Sequence, residues 1–330
     1  MCTAIANHGG GLYFGRTLDY HAPMGEEIVV IPRNFPLILR RQPRAESHYA
    51  IAGAALVCQN YPLLFDGMNE KGLCMAGLNF AGNAVYLPAK SDKINLAQFE
   101  FMPYILGSCA FAEEAVAAIK DINITPDRFS ADMPPAPLHW LIADRSRAFV
   151  VEFVKEGAIV YEDPAGVLTN NPPFPVQMAM LSGYMNLSPA LPRNNFSKKL
   201  PLTPSGMGFG AIGLPGDVSP QSRFVRAAFL NCNCSCGVSE TEGVYNLFSM
   251  LGCVSVPYGC CAAEGGGFES TLYFSCCSAQ SGTYYYLPRG GLKVCAVNMF
   301  SQDLNSARLA RYSASVISSL CGGAEMLGGK

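Results

Sequence analysis

Apolar and polar positions alternate over short segments at the start of the chain, and this pattern predicts a β-sheet. Turns rich in Gly, Pro and Asn separate the segments. The predicted strands cover residues 2–6, 12–19, 27–31, 49–57 and 73–78. Residues 96–122 instead carry apolar residues at helical spacing, with an interruption near Gly107 and Ser108. Two consecutive helices are therefore expected after the first group of strands.

The remainder of the chain repeats this order of strands and helices. A helix is predicted from near Ser222 to Leu230, and Ser239 with Glu242 forms a capping box that starts another. Further strands are predicted at 138–143, 148–154, 158–161, 271–275, 283–287 and 293–299, with a final helix after Gln302. Runs of strands that alternate with runs of helices predict stacked layers in one α+β domain over residues 1–330. Two packed sheets with helices outside them satisfy this order.

Composition and charge exclude several classes of protein. The chain has 330 residues, of which 50% are hydrophobic and 15% charged, and this balance is typical of a globular enzyme. The net charge is -2, and the scattered Lys and Arg residues predict no binding to nucleic acid or to an anionic membrane surface. No signal peptide or membrane-spanning segment is visible, so we expect a cytoplasmic protein.

The 14 cysteines do not indicate a metal site. A disulfide framework is typical of small secreted chains, so most of these cysteines are expected to be reduced thiols. The clusters lack the CxxC spacing of zinc sites and have no histidine nearby. They are Cys232, Cys234 and Cys236, and the pairs Cys260/Cys261 and Cys276/Cys277. No metal and no cofactor is therefore predicted.

A glycine pattern near residue 210 matches the dinucleotide-binding motif GxGxxG. It consists of Gly208, Gly210 and Gly213, but Pro204 precedes it and Pro215 follows it. The motif functions only between a strand and the start of a helix, and prolines at these positions argue against that context. We interpret the segment as a flexible loop that could lie over a pocket.

Cys2 is the candidate nucleophile. Removal of Met1, expected because the next residue is small, would leave Cys2 with both a thiol and a free α-amine. A free thiol has a pKa of about 8.5 and an α-amine about 8, so the amine can accept the thiol proton near neutral pH. This mechanism requires no histidine.

The hairpin after Cys2 supports this interpretation. If residues 7–11 form the turn, antiparallel pairing brings Cys2 opposite Arg16, whose positive charge favours a thiolate. Asp19 lies just beyond, where its carboxylate could accept a hydrogen bond from the amine. A shift of one residue in the pairing would place Arg16 on the other face of the sheet.

Further motifs occur in order from residue 2 to about residue 230. They are Cys2-Thr3-Ala4-Ile5, Phe14-Gly15-Arg16-Thr17-Leu18-Asp19-Tyr20, Met68-Asn69-Glu70-Lys71-Gly72-Leu73, Gly77-Leu78-Asn79-Phe80, Val167-Leu168-Thr169-Asn170-Asn171-Pro172, Leu214-Pro215-Gly216-Asp217 and Ser222-Arg223-Phe224. Together these motifs resemble those of the choloylglycine hydrolase family, which includes bile salt hydrolases and penicillin V acylases. The resemblance implies an N-terminal nucleophile hydrolase with a four-layer αββα sandwich, usually a homotetramer in the bacterial cytoplasm.

The resemblance also assigns roles by motif. Cys2 would be the nucleophile, with its own α-amine as the base. Supporting roles would fall to Arg16 and Asp19, to Asn79 and Asn170 as oxyanion-hole donors, and to Arg223. An amide hydrolase needs such donors because negative charge develops on the carbonyl oxygen. Each assignment has a structural alternative: an ordinary Arg16–Asp19 ion pair, two asparagines in turns, and an arginine at a helix start.

The same resemblance indicates which kind of substrate carries the amide bond. Penicillin V acylases often carry tyrosine where this chain has Asn79, so a conjugated bile salt is the favoured substrate. Apolar side chains in the loops would line a steroid pocket, although each could equally belong to the core. They are Leu18, Tyr20, Met24, Phe65, Phe129 and Met133.

Three other functions stay open. A penicillin V acylase or another N-acyl amide hydrolase, for example on acyl-homoserine lactones, would use the same residues. A noncatalytic binding protein for amphipathic acids or a thiol-rich metal binder near Cys234 would not depend on Cys2.

Overall fold

Two antiparallel sheets form the centre of the computed structural model, which describes residues 1–43, 46–235, 237–291 and 293–313. In chain order the strands are β1 (Cys2–Asn7), β2 (Tyr13–Tyr20), β3 (Glu27–Ile31), β4 (Ile51–Cys58), β5 (Tyr61–Asn69), β6 (Cys74–Asn79), β7 (Ile94–Ala97), β8 (Ile122–Thr125), β9 (Leu138–Ala143), β10 (Ala148–Val154), β11 (Gly157–Glu162), β12 (Val167–Leu168), β13 (Ser270–Ser278), β14 (Thr283–Pro288), β15 (Cys295–Asn298) and β16 (Ala310–Tyr312). The α-helices are α1 (Phe101–Ser108), α2 (Ala112–Ile119), α3 (Phe174–Met180), α4 (Pro220–Asn233) and α5 (Glu240–Cys253).

The two sheets pack face to face with helices on their outer sides. The first sheet has the strand order β12-β1-β2-β13-β14-β15, and the second has β11-β10-β9-β6-β5-β4-β3-β16. Helices α4 and α5 cover the first sheet, and α1 and α2 cover the second. Strands β7 and β8 form a separate parallel pair. The order of layers is therefore αββα, as predicted.

Two apolar clusters account for this layering. One contains buried residues of both sheets, such as Phe14 and Leu141, together with Phe224 of α4 and Leu247 of α5. The other joins the second sheet to α1 and α2, and Trp140 packs edge to face on Phe101 within it, with ring centroids 4.7 Å apart. Strands that are apolar on both faces are needed because each sheet is covered on both sides.

The predicted elements are largely present. The structure has strands at 27–31, 138–143 and 148–154, as predicted, and Ser239 caps α5 through the expected box with Glu242. Strand β5 was not predicted, because Pro62, Asp66 and Gly67 interrupt its apolar pattern. It nevertheless lies in the middle of the second sheet, between β4 and β6.

The prediction of a helix after Gln302 is wrong over the described residues 302–313. Strand β16 lies there instead and pairs with β3, with Ala310 opposite Val30. The strand covers the open edge of β3, a long-range contact that local periodicity does not reveal. The rest of the predicted helix lies outside the described residues.

The GxGxxG segment contains only a short 3-10 turn at Phe209–Ala211, and no α-helix begins there. Gly208 and Gly213 have positive φ angles of 82° and 101°, which glycine adopts without strain. The segment is thus a loop, as interpreted from its prolines. Within the described residues, no helix is long and apolar enough to cross a membrane, and no group of three or more His, Cys, Asp or Glu side chains could hold a metal ion.

Candidate active site

The β1–β2 hairpin places Cys2 at the start of a buried strand. Cys2 pairs with Leu18, and Ala4 pairs with Arg16. The predicted pairing of Cys2 with Arg16 is therefore wrong by two residues. Because side chains alternate between faces, a shift of two leaves Arg16 on the same face of the sheet as Cys2.

Contacts of Leu12 with residues distant in sequence cause this shift of two residues in the pairing. Its backbone N–H donates to Oε1 of Gln280 at 3.2 Å, and its carbonyl accepts from the N–H of Ala279 at 3.1 Å. Leu12 therefore joins the turn, and the last pair of the hairpin is Asn7 with Tyr13. These contacts come from residues more than 260 positions away, so the hairpin sequence alone could not reveal them.

Arg16 crosses the space between the two sheets. Its Nη1 donates to the carbonyls of Phe65 at 3.0 Å and Gly77 at 2.6 Å, and the side chain is buried. Its Nη2 has no hydrogen-bond partner among the described residues. Burial acts to lower the pKa of Arg16, but nearby acidic groups, Cys2 foremost, outweigh burial and raise it. The guanidinium is thus a permanent cation close to Cys2.

Asp19 is buried beside the start of the chain. Its Oδ1 accepts a hydrogen bond from the Thr271 hydroxyl at 2.6 Å, and its Oδ2 accepts one from the Thr17 hydroxyl at 3.2 Å. Burial raises the pKa of the carboxyl, opposed by the positive charges of Arg223 and the amino terminus. Among the described residues no ion pair joins Asp19 to Arg16, so the simple ion-pair alternative does not describe them.

Met1 precedes β1 and lines a cavity next to Cys2. Its carbonyl accepts from the N–H of Asp19 at 3.1 Å, and its amine donates to the carbonyl of Asp19 at 3.1 Å. The amine also forms an ion pair with Glu269. Met1 therefore occupies space next to Cys2 that its removal would open.

Asn170 and Arg223 hold the backbone of Cys2. The N–H of Cys2 donates to Oδ1 of Asn170 at 2.9 Å, and Nη2 of Arg223 donates to the same oxygen at 2.7 Å. Nη1 of Arg223 donates to the carbonyl of Cys2 at 2.5 Å. Burial lowers the pKa of Arg223, while Asp19 and Cys2 oppose this effect. The nitrogen that would become the α-amine is thus fixed by an amide oxygen rather than by Asp19.

Asn79 completes this group at the end of β6. Its carbonyl accepts from Nδ2 of Asn170 at 2.8 Å, and the residue lines a cavity beside Cys2. Asn171 points elsewhere and donates to the carbonyl of Ala81 at 2.8 Å. The structure therefore brings the other five predicted polar residues together around Cys2: Arg16, Asp19, Asn79, Asn170 and Arg223.

A cavity of about 410 Å³ opens beside Cys2. It is lined by all six of the apolar residues predicted from the loops: Leu18, Tyr20, Met24, Phe65, Phe129 and Met133. Phe129 packs on Phe99 with ring centroids 5.1 Å apart, which fixes one wall. A larger cavity of about 640 Å³ near Arg33 and Glu70 contains none of the predicted site residues.

Several lining residues were not predicted. They are Leu63, Leu64, Gln98, Phe99, Pro134, Ala136, Pro137, Leu138 and Glu269. Leu63 and Leu64 were missed together with β5. Glu269 reaches the site from a strand start distant in sequence, and no local signal identifies it. The GxGxxG loop does not line the cavity.

The fold and the site place a cysteine at the start of a buried strand beside an apolar cavity, a geometry that suits a hydrolase with a cysteine nucleophile. The family described as linear amide C–N hydrolases, choloylglycine hydrolase family, matches residues 2–312, and the chain belongs to this family. It is 42% identical to the bile salt hydrolase/transferase of Lactiplantibacillus plantarum, over 94% of this chain and 96% of that protein. It is 34% identical to the conjugated bile acid hydrolase of Lactobacillus gasseri, over 94% and 100% of the two chains.

Solved structures agree with the layered architecture. A mutant conjugated bile acid hydrolase from Clostridium perfringens matches with a TM-score of 0.87 and 31% identity, over 96% of this chain and 98% of that chain. Penicillin V acylase from Agrobacterium tumefaciens shares the fold, with a TM-score of 0.74 and 22% identity over 99% and 93%. The predicted αββα sandwich is thus confirmed, and the protein is an amide hydrolase.

Proposed function

We propose that the protein hydrolyses the amide bond of glycine- or taurine-conjugated bile salts. The observation that carries this proposal is the position of Cys2, whose backbone is fixed on both sides at the edge of an apolar cavity. The cavity volume falls within the range of about 300–1,000 Å³ that is typical of small-molecule sites. The names of the relatives from Lactiplantibacillus plantarum and Lactobacillus gasseri support bile salts as the substrate class.

In the proposed mechanism, Met1 is removed and the α-amine of Cys2 accepts the thiol proton. The sulfur attacks the amide carbon, and the amine passes its proton to the leaving nitrogen as the C–N bond breaks. Water then attacks the thioester, which releases the bile acid and restores the thiol. Asn170 holds the amine through Oδ1, and Arg223 holds Asn170 in turn.

The charge on the carbonyl oxygen needs hydrogen-bond donors. The amide of Asn170 has two N–H groups, and one of them donates to Asn79. We assign the second N–H, together with the side-chain amide of Asn79, to the oxyanion. Arg16 acts as the fixed cation that favours the thiolate, and Asp19 is held by two threonine hydroxyls next to the chain start.

Side-by-side turnover tests the substrate class. The processed protein should release glycine from glycocholate and taurine from taurocholate, measured as free amine by reaction with ninhydrin. Cys2→Ser should abolish release, whereas Cys253→Ser, which changes an exposed thiol on α5, should leave it unchanged. Turnover of penicillin V or of an acyl-homoserine lactone without turnover of either bile salt would refute the substrate assignment. Bile salt binding without dependence on Cys2 would instead indicate a noncatalytic binding protein.

We also propose that residues 1–330, with Met1 removed, form one domain that assembles into a homotetramer in the bacterial cytoplasm. Segment 185–212 supports assembly because it exposes large apolar side chains that a partner subunit could cover. They are Met185, Leu191, Phe196, Leu200, Leu202, Met207 and Ile212, and Met207 is 88% exposed. Light scattering on the purified protein should give four times the chain mass, and a monomer would refute the proposal. Cell fractionation tests the location.

A further inference from the structure

A buried carboxylate that the mechanism above does not use lies behind Arg16. Asp66, on β5, is 1% exposed. Its Oδ2 accepts from the hydroxyl of Tyr273 at 2.6 Å, and its Oδ1 accepts from the hydroxyl of Tyr284 at 2.6 Å. Asp66 belongs to the second sheet and the tyrosines to β13 and β14 of the first. The three side chains therefore tie the two sheets together at one point.

Two residues near Asp66 also contact Arg16, one through its side chain and one through its backbone carbonyl. Ser275 pairs with Arg16 across β13 and β2, and its Oγ accepts from the N–H of Arg16 at 3.3 Å. The hydroxyl of Ser275 also acts to lower the pKa of Asp66. Phe65, the chain neighbour of Asp66, accepts from Nη1 of Arg16 at 3.0 Å. The charge of Asp66 is among those that raise the pKa of Arg16. The carboxylate and the guanidinium are therefore both buried and interact electrostatically, although no direct ion pair joins them among the described residues.

The hydrogen bonds suit an ionised Asp66. Burial raises its pKa above the ordinary value, and the charge of Arg16 and the hydroxyls of Tyr273, Tyr284 and Ser275 oppose this rise. Burial also raises the pKa of both tyrosines well above the usual value, so the phenols keep their protons and donate them. Both oxygens of the carboxylate already accept hydrogen bonds. A buried cation such as Arg16 requires a compensating charge of this kind.

We propose that Asp66, held by Tyr273 and Tyr284, is a positioning residue for the reaction at Cys2. It balances the buried charge of Arg16 and fixes the guanidinium between the carbonyls of Phe65 and Gly77, while Nη2 has no hydrogen-bond partner within the described part of the chain. Asp66 does not line the cavity, so it acts through Arg16 and not on the substrate. This proposal rests on the proposed hydrolase function.

The test is the pH dependence of kcat/KM for glycocholate in Asp66→Asn. Loss of the carboxylate leaves the charge of Arg16 uncompensated near Cys2, which favours the thiolate. We expect the acid limb of the profile to move down by about 0.5–1 pH unit. We also expect the plateau to fall by about tenfold or more, because a guanidinium without its counter-charge loses its fixed position. Tyr284→Phe removes one hydrogen bond and should produce a smaller change in the plateau.

Asp144→Asn is the matched control. Asp144 is also buried and accepts from backbone N–H groups, including those of Ala112 at 2.7 Å and Ser146 at 2.7 Å. It follows the end of β9 that lies farthest from Asn79. Asp144→Asn should lower the melting temperature and leave the position of the acid limb unchanged. An equal displacement in this control would overturn the proposal.

A second readout separates this proposal from the proposed function. The rate of alkylation of Cys2 by iodoacetamide, followed by peptide mass spectrometry against pH, needs no substrate. The pH dependence of alkylation should move to lower pH in Asp66→Asn even if the parent cleaves no bile salt. A parent that cleaves no bile salt would refute only the proposed substrate. If Asp66→Asn has the same alkylation profile as the parent and the same plateau of kcat/KM, the proposed role of Asp66 is overturned. If Asp66→Asn does not fold, Tyr284→Phe serves as the test. A plateau of kcat/KM and an alkylation profile equal to those of the parent would then overturn the proposed role of Asp66.

Discussion

Replacement of Arg223 by lysine should disable the site while keeping its positive charge. Arg223 donates to the carbonyl of Cys2 at 2.5 Å, to Oγ1 of Thr3 at 2.7 Å and to Oδ1 of Asn170 at 2.7 Å. A single ammonium group lacks the planar fork and cannot reproduce this set. We therefore expect Arg223→Lys to release both the backbone of Cys2 and the amide of Asn170.

The size of the effect follows from the lost hydrogen bonds. Loss of two charge-assisted bonds at about 1.5–3 kcal/mol each removes about 3–6 kcal/mol. Because about 1.4 kcal/mol corresponds to a factor of ten in rate, kcat/KM should fall about 10²- to 10⁴-fold if the loss falls on the transition state. The assay is amine release from glycocholate, with a thermal melt to confirm that the variant is folded.

Arg226→Lys is the control for this variant. Arg226 lies on the same helix and donates to the carbonyls of Pro215 at 2.6 Å and Cys253 at 2.8 Å. It has no hydrogen bond to Cys2 or Asn170 among the bonds of the described residues. The control should lose stability but keep kcat/KM within about threefold of the parent. A folded Arg223→Lys with activity within threefold of the parent would refute the reasoning.

Three further predictions concern the nucleophile, the cavity and the pH dependence of stability. Cys2→Ala should bind glycocholate in a calorimetric titration but not cleave it, and cleavage by this variant would point to another nucleophile. Phe129→Ala removes an aromatic wall of the cavity and should raise KM for glycocholate about tenfold with a smaller change in kcat, whereas an unchanged KM would place the steroid elsewhere. Burial raises the pKa of Asp163 to about 7, against about 4 in the unfolded chain, so the folded protein binds more protons in this window. Its contribution to stability should be complete below pH 4 and lost as the pH rises through 7, and Asp163→Asn should flatten this part of the melting-temperature profile; an unaltered profile would contradict the assignment.

Much of the layered fold could be predicted because its strands are short and end in recognisable turns. Strands β3, β9 and β10 have uninterrupted apolar patterns, and their bounds were predicted at both ends. Strand β5 was missed because polar and turn-forming residues within it have tertiary roles, such as Asp66 beneath Arg16. The final helix was wrong because pairing with β3 decides the structure there.

The sequence predicted which polar residues lie in the site but not how they are arranged. Short motifs identified Cys2, Asn170 and Arg223, yet the hydrogen bonds of Cys2 with Asn170 and with Arg223 join residues more than 160 positions apart. The sequence predicted that Asp19 would accept a hydrogen bond from the amine of Cys2. In the structure the backbone N–H of Cys2 donates to Asn170 instead. Glu269 and the tyrosines around Asp66 come from distant strands and carry no local signature of a site.

The central claim is that Cys2, as the amino-terminal residue, forms a thioester with the acyl group of the substrate. Mass spectrometry of the active protein, quenched in acid during turnover of glycocholate, tests this claim most directly. The active protein should lack Met1 and carry one cholyl group on the peptide that begins with Cys2. An active protein that retains Met1, or an acyl group on any other residue, would contradict it.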